Sequence, residues 1–416
     1  MIFFRLSFFI LSLGFCSGSI GQILTTFTVA DGLINDNVYS ISKGANASLW
    51  FGTHGGVSFY DGSEFSDSIT VADGLVHESV FAILETTDGD VWMGTDFGLS
   101  RYDGSECVTY TTDDGLEDNR VKHLYEDSEG QLWIAHNDGV SSFDGELFTN
   151  YTMSDGLPFG GVTHSVEDNN GDMWFATGLG GAFHFDGTTL TGYGLNEGIP
   201  NLSVRSIAVD ADNRKWIGTN EGIVVFDDNN EVEMEHPSLI ELPAPHEINP
   251  VEDIKIDLEG RVWTGIYVDY LVTVGGVAYH NGAEWIDYSA DDGLAGPNVS
   301  QLAVDQQGDV WAATSTGVTR FSGTPLDVFE EPQEALLVFP NPAVEELNIR
   351  WPSDVELNSA RVLLMDGLGK VVLNQKATGQ HERIRLTGFQ SGSYIIRIES
   401  NEYSASRQVV IFSAGD

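Results

Sequence analysis

A valine followed twelve residues later by a tryptophan recurs seven times along this chain. The pairs are Val38/Trp50, Val80/Trp92, Val121/Trp133, Val162/Trp174, Val204/Trp216, Val251/Trp263 and Val299/Trp311. A unit of roughly forty residues that keeps its internal spacing and varies its connections is typical of one blade of a β-propeller. The seven units therefore predict an all-β fold whose main part is a seven-bladed ring.

Each unit contains four short apolar segments separated by turns. An Asp-Gly-Leu turn precedes the Val segment in five units, an acidic turn precedes the Trp segment in most, and an aromatic-Asp-Gly turn precedes the last segment in four. This order predicts a four-stranded antiparallel blade. A glycine six residues after the Trp should adopt positive φ after a hairpin turn. These glycines are Gly56, Gly98, Gly139, Gly180, Gly222 and Gly317.

The two ends of the repeat region complement each other. Residues 23–29 match the last strand of a unit, although no unit precedes them, and the seventh unit lacks a clear last strand after residue 323. We predict that residues 23–29 fill that place and close the ring, which removes two exposed sheet edges. Deleting residues 22–30 should then lower the stability sharply.

The regions outside the repeats predict an exported protein. Residues 1–21 have a basic start at Arg5, a short apolar run and small residues near their end, the pattern of a signal peptide. The propeller is expected over 22–324, an acidic linker over 325–336 and a small C-terminal β-sandwich over 337–416. We expect no membrane span. After cleavage Cys107 is the one remaining cysteine, so no internal disulfide is expected.

The acidic charge is concentrated in the repeat region. Residues 22–332 contain 53 acidic and 10 basic residues, within a chain of net charge −44. Such a surface repels phosphate backbones and anionic membranes, so nucleic acid is not an expected partner. Solubility outside the cell and calcium binding both remain open as explanations. Residues 168–172 resemble the start of a calcium loop but lack its later Glu, so calcium is kept as an alternative to having no cofactor.

The repeats resemble two-component regulator propeller repeats. Residues 50–53 (Trp-Phe-Gly-Thr) with 60–62 (Tyr-Asp-Gly), and residues 92–95 with 102–104, match the pattern of that family, and the resemblance covers about residues 23–323. It implies a propeller of the kind that senses carbohydrate fragments in the periplasm.

The C-terminal module closely resembles the type A C-terminal sorting domain of the type IX secretion system. It contains Phe-Pro-Asn-Pro at 339–342, Asp-Gly-Leu-Gly-Lys at 366–370 and Ser-Gly-Ser-Tyr-Ile-Ile-Arg at 391–397. The resemblance implies that residues 337–416 engage the secretion machinery of a Bacteroidetes-type cell. After export across the outer membrane and removal of this module, the protein would be attached to the cell surface or released. A generic adhesion or carbohydrate-binding sandwich is the alternative.

Two unusually long connections suggest a binding site beside the sixth blade. The stretch from Trp216 to Val251 spans 35 residues, and the stretch from Trp263 to Gly276 spans 13. Both belong to the face at which the turns after the Trp strands and those before the Val strands meet. The second contains Tyr267, Asp269 and Tyr270, a composition suited to binding a sugar or a peptide. A loop that only covers an apolar edge is the alternative.

The second residue after each Val should lie on the innermost strand and face the central channel. This position holds Ser40, Ala82, His123, His164, Ser206, Asp253 and Gln301. His123 and His164 would be neighbours on adjacent blades, near Arg205 and Lys122 and with Asp253 across the ring. We take His123, His164, Arg205 and Asp253 as candidate ligand contacts. A metal or acid–base role for the His pair is the alternative.

The sequence contains no nucleophile elbow, zinc signature, phosphate loop or kinase motif. We therefore assign no catalytic and no metal-binding residue. The predicted function is a non-catalytic, secreted or cell-surface propeller that binds a glycan fragment or a protein partner. The alternatives are a polysaccharide-active lyase or hydrolase with its site at the channel mouth, and a purely structural surface protein.

Overall fold

The computed structural model describes two separate parts of the chain. In the repeat region the described residues are 23–240, 249–267 and 275–323. In the C-terminal region they are 337–339, 346–350, 361–365, 370–377, 381–386, 389, 391–399 and 404–411. The predicted signal peptide (1–21) and linker (325–336) lie outside the described residues. The chain divides into two compact units, Met1–Pro325 and Leu326–Asp416.

The described part of the repeat region contains 28 strands, numbered in chain order. The first is β1 (Ile23–Phe27). Blades 1 and 2 consist of β2 (Val38–Lys43), β3 (Leu49–Thr53), β4 (Gly56–Tyr60), β5 (Phe65–Ile69), β6 (Val80–Glu85), β7 (Val91–Thr95), β8 (Gly98–Tyr102) and β9 (Cys107–Tyr110). Blades 3 and 4 consist of β10 (Val121–Glu126), β11 (Leu132–His136), β12 (Gly139–Phe143), β13 (Phe148–Thr152), β14 (Val162–Glu167), β15 (Met173–Thr177), β16 (Gly181–Phe185) and β17 (Leu190–Tyr193).

Blades 5 and 6 consist of β18 (Val204–Val209), β19 (Lys215–Thr219), β20 (Gly222–Phe226), β21 (Val232–His236), β22 (Val251–Ile256), β23 (Val262–Tyr267), β24 (Gly275–His280) and β25 (Trp285–Tyr288). Blade 7 contributes β26 (Val299–Val304), β27 (Val310–Thr314) and β28 (Gly317–Ser322). Each of the seven repeat valines is the first residue of its blade. The first strand of every blade contacts the first strands of both neighbouring blades, which confirms the predicted ring of seven.

The N-terminal strand closes the ring. β1 is the fourth strand of blade 7, antiparallel to β28, and Leu24 pairs with Phe321. β1 therefore covers the edge of β28 and becomes the outermost strand of the blade. The prediction for residues 23–29 is confirmed.

The tryptophans pack between blades. Trp92 of blade 2, for example, belongs to one apolar cluster with Leu124 and Ile134 of blade 3. In blades 3 to 7 the indole Nε1–H also donates to the carboxylate of the Asp six residues earlier. These bonds are Trp133–Asp127 (2.7 Å), Trp174–Asp168 (3.2 Å), Trp216–Asp210 (3.0 Å), Trp263–Asp257 (2.8 Å) and Trp311–Asp305 (2.8 Å).

The Asp-Gly-Leu turns are single 3-10 turns that link one blade to the next. They span Val29–Asp31, Val71–Asp73, Thr112–Asp114, Met153–Asp155, Leu195–Glu197 and Ala290–Asp292, and a further 3-10 turn spans Ala45–Ala47. In the second of them Thr70 caps the turn, Asp73 accepts the Thr70 N–H, and Gly74 has φ +98°. Leu75 then inserts into the core. The motif therefore reverses the chain direction, and its buried leucine fixes the connection to the core.

The glycines after the Trp strands have positive φ in five of the six predicted cases. In blade 4 the prediction of Gly180 is wrong, and Gly181 takes the position with φ +87°. The turn of this blade has one extra residue, so β16 begins at Gly181. A Cβ on Gly181 would lie 2.1 Å from the Tyr193 carbonyl oxygen, which explains why a glycine is needed there.

The C-terminal region forms two small sheets. The strands are β29 (Leu337–Phe339), β30 (Glu346–Arg350), β31 (Arg361–Met365), β32 (Val371–Lys376), β33 (His381–Arg385), β34 (Gly392–Glu399) and β35 (Ser404–Ile411). One sheet has the order β29-β30-β33 and the other β32-β31-β34-β35. Leu347 and Ile384 of the first sheet share a buried cluster with Leu364 and Ile396 of the second. No helix in the described part of the chain is long and apolar enough to cross a membrane.

Candidate ligand site at the channel mouth

A cavity of about 940 Å³ opens at the end of the ring where the first strands begin. It is lined by residues of those strands, by the turns after the second strands and by residues of the connections between blades. A second cavity, of about 510 Å³, lies along the other halves of the first strands. His123, His164 and Gln301 line both cavities and therefore lie between them. We call the larger cavity the channel mouth.

A β-bulge at the start of every blade decides which side chains line the channel mouth. In all seven blades the pairing shifts between the Val and the second residue after it, so the residue directly after the Val is unpaired. All seven of these bulge residues line the channel mouth: Tyr39, Phe81, Lys122, Thr163, Arg205, Glu252 and Ser300. Sequence reasoning identified Arg205 as a contact but missed the position as a set.

The position two residues after the Val lies deeper. His123, His164, Asp253 and Gln301 line the channel mouth, whereas Ser40, Ala82 and Ser206 do not and are buried. Several of these side chains accept a backbone N–H from the next blade. The bonds are Ile41 N–H to Gln301 Oε1 (2.7 Å), Ser165 N–H to His123 Nδ1 (3.3 Å), Ile254 N–H to Ser206 Oγ (3.0 Å) and Leu302 N–H to Asp253 Oδ2 (2.9 Å). The polar character of this position is therefore at least partly structural, since it satisfies buried amides between blades.

His123 and His164 are in contact, as the sequence predicted. Their ring centroids are 3.9 Å apart, and His164 Nε2 lies 4.0 Å from Asp253 Oδ1. Burial lowers the pKa of both imidazoles well below the usual range, and the charge of Lys255 lowers them further. Lys255 Nζ donates to Asp253 Oδ1 at 2.9 Å. The positive charge of Lys255 beside this pair disfavours a metal ion there.

The charged side chains of the channel mouth form pairs between blades. The Arg205 guanidinium donates to Glu252 of the next blade, and its Nε donates to Asn220 Oδ1 at 3.1 Å. Burial raises the pKa of Glu252, while the Arg205 charge opposes that rise. Arg120 Nε donates to Asp96 Oδ1 at 3.0 Å.

Aromatic side chains line another arc of the channel mouth. The rings of Tyr39 and Phe81 lie 4.8 Å apart, and Asn37 Nδ2 donates to the Tyr39 hydroxyl at 3.0 Å. Burial raises the pKa of Tyr39, and the nearby Asp96 and Tyr267 raise it further. Of the three loop residues predicted as contacts, Tyr267 ends β23 and lines the channel mouth. Asp269 and Tyr270 lie outside the described residues.

The acidic turn that resembled a calcium loop has its ligand atoms engaged elsewhere. Asp168, Asp172 and His184 have potential ligand atoms within 4.8 Å of one another. However, Asp168 accepts the indole N–H of Trp174 and lies 3.7 Å from the buried ammonium of Lys215, and His184 is 2.8 Å from Asp172. Calcium takes six to eight oxygen ligands in proteins, so this cluster does not fit it.

Comparison with known families identifies both parts of the chain. A model described as two component regulator propeller matches residues 74–97 and 115–138, and one described as secretion system C-terminal sorting domain matches residues 337–412. Two of the repeats match the propeller model and the C-terminal region matches the sorting-domain model, and we call the repeat region the regulator-type propeller. Both resemblances inferred from the sequence are confirmed. The sorting domain implies interaction with the secretion machinery, and the regulator-type propeller is a secreted or cell-surface protein.

Solved structures similar to this regulator-type propeller share its fold at low identity. The extracellular domain of a hybrid two-component system from B. thetaiotaomicron has a TM-score of 0.61 at 19% identity, covering 94% of this chain and 58% of that one. PorZ, a surface component of the type-IX secretion system of Porphyromonas gingivalis, has a TM-score of 0.57 at 16% identity, covering 92% and 60%. The chain thus spans about three fifths of the length of these two proteins.

A virginiamycin B lyase from Staphylococcus aureus has a TM-score of 0.58 at 13% identity, covering 73% of this chain and 99% of the lyase. At these identities the likeness shows the fold alone. No curated protein matches the chain.

Proposed function

We propose that the regulator-type propeller binds a short glycan fragment at the channel mouth and does not transform it. The observation that carries this proposal is the ring of bulge residues, which turns one side chain of every blade toward a single concave site. The cavity volume of about 940 Å³ falls near the upper end of the roughly 300–1,000 Å³ range of small-molecule sites. A protein partner typically requires a contact surface of about 800 Å² on each side. A concave site with the volume of a small-molecule site therefore suits an oligosaccharide better than a protein surface.

The lining of the channel mouth combines the two kinds of contact that a sugar ring offers. Tyr39 and Phe81 supply apolar ring surface, and Asn137, Asn298 and Ser300 supply amide and hydroxyl groups that both donate and accept hydrogen bonds. A pyranose likewise has C–H faces and a rim of hydroxyl groups. The composition of the site therefore matches the amphipathic character of a glycan.

The ionisable groups of the channel mouth favour binding over catalysis. Arg205 and Glu252 are paired with each other, Arg120 is paired with Asp96, and His164 is only 7% exposed. A general acid or base must reach the proton that it transfers. One observation favours the lyase or hydrolase alternative, namely the raised pKa of Glu252 in a cavity.

A glycan array followed by calorimetric titration of the mature full-length chain tests the proposal. We expect Phe81→Ala to weaken binding about tenfold, because aromatic contacts contribute roughly 0.5–1.5 kcal/mol beyond their area. Leu258→Ala is the matched control, since this exposed residue lies in a turn outside the channel mouth.

Unchanged binding by Phe81→Ala would place the ligand elsewhere. Release of new reducing ends or of unsaturated sugars from bound glycans, if lost in Glu252→Gln, would establish the enzymatic alternative instead.

A further inference from the structure

Basic residues are concentrated at the channel mouth. Residues 22–332 contain 53 acidic and 10 basic residues. The described lining of the channel mouth nevertheless has equal numbers of the two, with Arg120, Lys122 and Arg205 against Asp96, Glu252 and Asp253. The acidic excess of the propeller as a whole is therefore not seen in the described lining of this site.

Within the described residues, Lys122 is the cation at this site that has no carboxylate partner. Eight of the ten basic residues form an ion pair within the described residues, and Lys122 and Lys43 do not. Lys43 is exposed at the other end of its strand, whereas Lys122 is partly buried. Lys122 Nζ has three N–H donors and donates to the Gly160 carbonyl oxygen at 3.3 Å.

Burial and nearby charges of both signs act on Lys122. Burial lowers the pKa of Lys122 and the nearby Arg120 lowers it further, while Asp118 and Asp138 oppose these effects without forming an ion pair with it. Two cations thus lie on the same edge of the channel mouth, close enough to interact. A cation that is partly desolvated and has unused donors is stabilised by an anion that accepts from them.

Two exposed aromatic residues are chain neighbours of the groups that these cations contact. Phe97 follows Asp96, the partner of Arg120, and is 57% exposed; its ring stacks on His77 at a centroid distance of 4.6 Å. Phe159 precedes Gly160, the partner of Lys122, and is 72% exposed.

We infer that Lys122, assisted by Arg120, forms a subsite for an acidic group of the glycan, either a carboxylate or a sulfate. This inference rests on the proposed function and adds the charge of the ligand to it. The acidic residues elsewhere on the propeller do not prevent such binding. At physiological ionic strength the Debye length is about 8 Å, so the charges of distant carboxylates are screened. The nearby cations then determine the electrostatic interaction with the bound group.

Matched glycan pairs provide the test. The mature full-length chain is titrated at about 150 mM salt with uronate oligosaccharides and their methyl esters, and with sulfated oligosaccharides and their desulfated forms. We expect the acidic member of a pair to bind at least about tenfold more tightly, because charge-assisted hydrogen bonds are roughly twice as strong as neutral ones. The uronate and the sulfate arms distinguish the two sources of charge.

Three variants assign the effect to Lys122. Lys122→Gln should remove most of the preference for the acidic member and leave binding of the neutral member nearly unchanged. Lys122→Arg should retain the preference, and Lys43→Gln, which alters the other lysine that lacks an ion pair among the described residues of the propeller, should behave like the wild type. Circular dichroism melting of each variant verifies that it is folded.

Two results would overturn the subsite. One is equal binding of the acidic and neutral members by the wild type, and the other is an equal loss for both members in Lys122→Gln. In either case binding that depends on Phe81 would leave the proposed function intact. A chain that binds no glycan at all would refute both proposals.

Discussion

The closure of the ring by β1 can be tested through a single side chain, Phe27. Its ring stacks on Trp311 of blade 7 at a centroid distance of 5.4 Å and an interplanar angle of 19°. It also lies 5.9 Å from the rings of both Tyr60 and Phe65 of blade 1. One residue of the N-terminal strand therefore joins the last blade to the first.

Truncation of Phe27 to alanine removes these contacts. Phe→Ala substitutions at fully buried sites cost about 3–5 kcal/mol. Because Phe27 is only partly buried, we expect a loss of about 2–3 kcal/mol in the free energy of unfolding. The unfolding entropy of a domain is about 2.1 cal/mol/K per residue, so a propeller of roughly 300 residues should melt about 3–5 °C lower.

Scanning calorimetry of the mature chain measures this shift, with Thr25→Ala as the control. Thr25 is exposed on the same strand and pairs through its backbone with Arg320, so its truncation should change the stability by less than about 0.5 kcal/mol. Deletion of residues 22–30 should lower the melting temperature far more, because it uncovers the edge of β28. Equal melting temperatures for Phe27→Ala and Thr25→Ala, or no effect of the deletion, would refute the closure.

Other predictions concern buried polar groups. Asp305→Asn weakens the 2.8 Å hydrogen bond that Trp311 Nε1–H donates to this side chain. We expect the free energy of unfolding, measured by urea denaturation, to fall by about 1–2 kcal/mol. An unchanged urea midpoint would contradict a stabilising role of this bond. Burial lowers the pKa of His136 to about 4, below its value near 6.5 in the unfolded chain, so the unfolded state binds the proton first. Protonation of His136 in the unfolded state should lower the free energy of unfolding by about 2 kcal/mol between neutral pH and pH 5. His136→Gln should flatten that part of the pH–stability curve. An equally steep curve in the variant would exclude His136 as the cause. A chelator should leave the melting temperature unchanged, since Asp168 is already engaged by Lys215; a reproducible shift would reveal an ion site.

The repeated local pattern was sufficient to predict the ring. Each unit places its Val, its turn glycines and its Trp at fixed separations, and these separations determine the strand order within a blade. The unpaired last strand at the N-terminus could be predicted as well, because residues 23–29 have the pattern of the strand that unit seven lacks. The resemblance of residues 337–416 to a sorting domain rested on local motifs in the same way.

The candidate site was predicted less completely. The contact between His123 and His164 follows from their equivalent positions on neighbouring blades, and the structure shows it. Arg205 and Lys122 were placed near the histidine pair, but the bulge residues as a set were missed, and with them Tyr39 and Phe81. A strict alternation of inward and outward side chains gives no indication of a bulge, since the extra residue is defined only by pairing with the second strand.

The sequence by itself determined the number of blades, the strand that closes them and the sorting domain. Each of these depends on spacing along the chain or on a local motif, which a regular repeat makes visible. Only the tertiary structure decided which side chains meet in the channel mouth, which charges are paired and which, like Lys122, are not. Those properties depend on contacts between blades, where residues about forty positions apart become neighbours and burial changes what each group can bind.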